Sequence, residues 1–167
     1  MSEREMIIDG RDINYSGLMN LREMLLKMDD WLMDNGWDKD IMKTFEENYD
    51  DGKQVTIEYI PFKKASYYVK YRIEMRMYFT KLKEVEVEKA GVKTKLMKGN
   101  AHISFDTFIE FDYENHWDRK PMFIFLRFIL NKYVYKKQID EYKKDAIKET
   151  IALENYLKEF LNLHRYI

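Results

Sequence analysis

The chain reads as an α+β domain with two N-terminal helices, a curved antiparallel meander of about five strands, and a C-terminal helical pair packed on the sheet. Three observations predict this. Apolar residues recur at helical spacing over 16–49 and again after 118. Between them the period is two: Tyr67, Val69, Tyr71, Ile73, Met75, Met77 and Phe79 alternate with Tyr68, Lys70, Arg72, Glu74, Arg76 and Tyr78. Six Gly and two Pro in 167 residues leave little room for long loops, so residues 1–167 are expected to form one domain.

Taken in order, residues 4–9 read as a short first strand. Ser16 is placed to cap a helix running to Asn35, with Leu18, Leu21, Leu25, Met28 and Leu32 as its buried stripe. Asn35-Gly36 supplies its stop. Asp38 is placed to cap a second helix burying Ile41, Met42, Phe45 and Tyr49, and Asp50-Asp51-Gly52 reads as a turn.

The meander begins with Val55, Ile57 and Tyr59, and Pro61 is expected to end that strand or confine it to an edge. The long strand 67–80 follows, then 82–89, a tight turn at Ala90-Gly91, a return strand over 92–97, a second turn at Gly99-Asn100, and a strand over 101–113. Asp118 and Pro121 mark a helix start. Residues 121–135 are apolar on nearly all sides, whereas Ile139, Tyr142, Ala146, Leu153, Leu157 and Phe160 give 138–163 a single stripe. This order of elements is similar to helix-grip folds, in which a curved sheet wraps a long C-terminal helix around an apolar cavity. The resemblance is one of outline, carries no sequence motif, and transfers no functional residue.

Composition narrows the function classes. No Cys is present, which excludes disulfides, thiol catalysis and thiolate metal sites. The first residues lack the basic and apolar regions of a secretory signal, and no apolar run approaches the ~20 residues of a membrane span, so a cytoplasmic protein is expected. The net charge of −1 conceals segregation: residues 1–62 carry 7 Lys/Arg against 15 Asp/Glu, and residues 63–100 carry 11 against 4. Near-neutrality argues against a chain that wraps nucleic acid.

No Gly-rich phosphate loop, nucleophile elbow, zinc spacing or complete calcium loop occurs. Asp112, Glu114 and His116 form the one cluster mixing carboxylates with imidazole, in a spacing that matches no ligand motif, and a solvated loop explains it equally well. No catalytic residue, metal ligand or cofactor is assigned, and a non-enzymatic binding module is favoured.

Its expected contact is the 121–135 helix, through Phe123, Phe125, Arg127 and Phe128, with a protein partner or a second copy as occupant. The flanking aromatic and basic residues also suit a membrane surface, which is the less favoured occupant. One alternative is a carrier for a small apolar ligand lined by Tyr71, Ile73, Met75, Phe105, Ile109 and Phe111. Another is association with RNA through Lys63, Lys64, Lys70, Arg72 and Arg76 beside Tyr68 and Tyr78. Against RNA, the basic residues of 70–76 are expected to face acids on neighbouring strands, which would fix the register and neutralise the face.

Overall fold

Alternation of apolar and polar residues builds one five-stranded antiparallel sheet in the order β1-β5-β4-β3-β2. The strands are β1 (Glu3–Met19), β2 (Asp38–Tyr49), β3 (Gly52–Lys64), β4 (Val69–Lys89) and β5 (Val92–Phe111). The computed structural model describes residues 3–114 and 121–164, apart from the side chains of Pro121, Phe123, Ile124, Arg127, Asn131, Val134, Leu163 and His164. Helix α1 (Leu21–Asp34) carries the chain from edge strand β1 to edge strand β2. After the sheet come a short helix α2 (Pro121–Ile129), a π-helical turn (Leu130–Val134) and a long helix α3 (Lys136–His164).

The α+β class and the antiparallel sheet stand, but the predicted arrangement of helices is corrected. One helix, not two, lies in the N-terminal part. The second predicted helix is strand β2, hairpin-paired with β3 from Tyr49↔Gly52 onward. Ile41, Phe45 and Tyr49 are spaced by four, which is close to a helical repeat and also two strand repeats. The turn at Asp50-Asp51 and the neighbouring strand decide between them. The C-terminal pair packed on the sheet is not found either. Among the described residues it is α3 that packs on it, whereas the contacts of α2 run chiefly to the π-helical turn that follows.

Strand membership differs as well. Segments 67–80 and 82–89 are one strand, and so are 92–97 and 101–113 up to Phe111. The join is a bulge: Thr80 pairs with Asn100 and Lys83 with Lys98, leaving Lys81 and Leu82 opposite Gly99 alone. Gly99 is there for proximity, because a Cβ at that position would lie 2.7 Å from the Thr80 carbonyl oxygen. Ala90 (φ 51°) and Gly91 (φ 78°) do make the expected tight turn, both in the left-handed region that a type I′ hairpin needs. Past Leu82 and Leu96 the hairpin runs on as a mostly exposed ribbon, beyond the reach of β1, whose last partner is Met97, and of β3, whose last partner is Leu82.

β1 is far longer than the expected 4–9. Two register shifts against β5 and Gly10 (φ 69°) break its alternation, which hides it from a period-two reading. The cap of α1 is Asn20, whose Oδ1 accepts the Glu23 amide at 3.1 Å; the hydroxyl of Ser16 instead donates to Asn100. Both α1 and α3 lie on the sheet face bearing Ile57, Tyr71, Ile73, Met75, Met77, Ile103 and Phe105. Met24, Met28 and Leu32 of α1, with Ala146, Leu153, Leu157 and Leu161 of α3, complete this layer at 2% exposure or less. A fully buried polar contact crosses it: the hydroxyls of Thr107 and Thr150 lie 2.9 Å apart.

Candidate functional site

Three surfaces carry the residues singled out in the sequence. The first is the helix-covered face. Tyr71, Ile73, Met75, Phe105, Ile109 and Phe111 all lie in the continuous core cluster with α1 and α3, none more than 4% exposed. Tyr71 is the one with a polar end. Its ring lies 6.5 Å from Trp37 and from Tyr142, and burial, then the charge of Asp145, pushes its hydroxyl well above the ordinary tyrosine range. Beside it, Glu149 accepts from the Trp37 indole at 2.7 Å and from Lys63 at 2.5 Å, pinning α3 to the start of β2 and to β3.

The second is the uncovered face of the sheet, where Lys70, Arg72 and Arg76 project from β4. Each of them faces acid. Lys70 and Arg72 both reach Glu110 at 2.8 Å, and Arg72 also reaches Asp40 at 2.5 Å. Arg76 lies 3.8 Å from both Glu74 and Asp106. Burial alone would push the Glu110 carboxyl up; the hydrogen bonds and charges of Lys70 and Arg72 outweigh that and hold it below the usual range. Lys70 also sits over the rings of Phe62 and Tyr113. Tyr78 stacks on His102 at 6.2 Å, beside a shallow recess of about 360 Å³ lined by Asn14, Tyr15, Ser16 and Asn100. Tyr68 packs on Phe111. The basic row is thus neutralised by its neighbours, though by β5 and β2 rather than by 84–88. Those glutamates lie farther along β4 and face Lys93 and Lys95 of β5.

The third is α2. Of its described side chains, Met122 is 72% exposed, Phe125 65%, Leu126 44%, Phe128 62% and Ile129 38%. At 100° per residue these five cover roughly 160° of the helix surface. The side chains of Phe123 and Arg127 lie outside the described residues. Next to α2, Lys132, Tyr133, Lys136, Ile139, Asp140 and Lys143 line an open recess of about 580 Å³. The Lys132 ammonium sits 5.6 Å from the rings of both Phe128 and Tyr133. An apolar, aromatic surface therefore ends in a rim of lysines.

Of the carboxylate–imidazole cluster, two members are described. Asp112 is buried with φ 50°, Glu114 is exposed, and His116 lies outside the described residues. Among the described residues no group of three His, Asp or Glu is placed to hold a metal ion, and no helix is long and apolar enough to cross a membrane. Sequence reasoning missed Asp40 as a partner of Arg72 and the exposed row along β2, because both fell in the segment read as a helix. The turn at Asp50-Asp51-Gly52, followed at once by an alternating strand, was the available signal for a hairpin. No family model matches the chain, and no match is found among curated proteins or solved structures.

Proposed function

We propose that this protein is a non-catalytic interaction module that engages a protein partner through α2. The observation that carries this reading is the exposure of Met122, Phe125, Leu126, Phe128 and Ile129 on a helix whose described contacts run chiefly to the π-helical turn that follows it. Met122, Phe125 and Ile129 follow the i, i+3, i+7 spacing by which a helix seats in an apolar groove. The lysine rim adds a charge preference: Lys132, Lys136 and Lys143 suit a groove with an acidic lip. Large aromatic side chains left in water are otherwise a liability, and they are the residue types that dominate interface energetics.

The test is a double substitution, Phe125→Ser with Phe128→Ser, combined with a photo-crosslinking residue at position 122. Both phenylalanines are exposed, so the variant should melt within about 0.5 kcal/mol of the native protein. The crosslink to the partner should disappear. A large loss of stability would mean that α2 is buried in the core, and an unchanged crosslink would remove the helix from the interface; either result overturns the reading.

A further inference from the structure

We propose that β2 is the seam of a homodimer, pairing antiparallel with the β2 of a second copy about a two-fold axis through Phe45. This rests on a different surface from α2. The starting point is an asymmetry between the two edges of the sheet. β1 is guarded: its ladder is broken by two register shifts, and α3 clasps it through Arg11–Glu154 at 2.5 Å and Lys143–Glu5 at 2.7 Å. Bulges and covering elements are how proteins blunt an edge. Among the described residues β2 has neither along 41–49. All twelve of its residues are exposed, and its one irregularity lies at its start, between Lys39 and Ile41.

An isologous interface must be complementary to itself, and this strand is. Through its pairing with Ile60, Glu58, Thr56, Gln54 and Gly52, the odd row Ile41, Lys43, Phe45, Glu47, Tyr49 projects from the uncovered face. Antiparallel self-pairing about Phe45 sets Ile41 against Tyr49, Lys43 against Glu47, and Phe45 against Phe45, with the first two pairs occurring twice. On the other face it sets Met42 against Asn48 and Thr44 against Glu46. Moving the axis to Lys43 or Glu47 puts like charges on the axis, and moving it to Thr44 or Glu46 sets each apolar residue against a charge or a polar neighbour. One register is therefore selected.

The apolar members are already exposed for it, at 36% for Ile41, 57% for Phe45 and 54% for Tyr49. Lys43 makes no ion pair among the described residues, although Glu58 stands across from it on β3. The like-charged pair at the ends, Asp40 with Asp50, falls at the bulge and the turn, where Asp40 already holds Arg72. The product is a continuous ten-stranded sheet, twice the five strands of one copy.

Sedimentation equilibrium on the full chain, up to about 1 mM, provides the test. The native protein should dimerise. Lys43→Glu and Glu47→Lys should each weaken the dimer about tenfold or more, since each sets like charges opposite one another at two places. The double variant K43E/E47K restores both pairs and should recover native affinity to within about threefold. Because the chain has no cysteine, Phe45→Cys should also form an intermolecular disulfide on mild oxidation, whereas Tyr67→Cys, at an exposed site off the seam, should not. A native chain monomeric throughout, a double variant as weak as the singles, or a dimer abolished only by substituting Phe125 and Phe128 would each overturn the proposal.

Discussion

The threonine pair between sheet and helix allows a prediction in which two chemically identical substitutions have unequal effects. Thr150 on α3 donates its hydroxyl to the Ala146 carbonyl at 2.9 Å. A hydroxyl has one hydrogen, so the 2.9 Å contact between the two threonines must be donated by Thr107 and accepted by Thr150. Thr150→Val then removes the acceptor that this fully buried donor has among the described residues, at a cost of about 1–3 kcal/mol, with little change in shape. Thr107→Val leaves Thr150 still donating to Ala146 and deprives it only of an unused lone pair, so the loss should stay below about 1 kcal/mol. The double variant has no stranded donor and should resemble T107V, giving a coupling energy about equal to the T150V loss, roughly 1–3 kcal/mol, in favour of the pair of valines. Urea titration reads this directly: with a slope near 2 kcal/mol/M, T150V should lower the midpoint by about 1 M and T107V by less than half of that. Equal losses for the two singles, or strictly additive losses in the double, would refute the donor assignment.

Two further outcomes follow from the sheet. The folded Glu110 carboxyl titrates below its ordinary value, so its contribution is present above the unfolded pKa and is lost as pH falls through the folded one. Glu110→Gln should therefore cost about 1–3 kcal/mol near neutrality, with Lys70 and Arg72 left half-buried, and the gap to the native protein should close below about pH 4; a gap independent of pH would contradict this. Gly99→Ala drives a Cβ to 2.7 Å from the Thr80 carbonyl and 3.1 Å from that of Lys81. It should cost about 1–3 kcal/mol in a thermal or urea melt, and a neutral result would mean that the bulge relaxes freely.

Legibility in the sequence followed burial. In β4 and β5 one face meets the core and the other meets charge, so the alternation from Val69 to Phe79 and from Ala101 to Phe111 was plain, and so was the burial of those residues. β2 has no buried side, so nothing enforces a two-residue pattern, and its spacing of four imitates a helix. Glycines misled in a second way. At Gly99 the residue serves a close backbone approach inside a strand, which looks from sequence like a turn. For the candidate sites, residue type pointed to the apolar segment around Phe125 and Phe128, but whether those rings meet the core or water is decided by where α3 packs. The acids that answer Arg72 lie 32 and 38 residues away, a separation that no local pattern encodes.

The bulge at Lys81 and Leu82 divides the β4–β5 hairpin into two parts with different thermodynamic fates. On the core side each strand has neighbours on both sides and a helix beneath. On the far side, residues 85–96 pair only with one another, and a two-stranded ribbon standing alone is marginal in water. The ribbon therefore has its own opening equilibrium. Its amides should exchange with solvent far faster than those of Ile103 or Phe105, through excursions that leave the core intact. Substitutions there, such as breaking the 2.8 Å pair between Lys95 and Glu84, belong to the local opening of the arm rather than to the global stability of the fold.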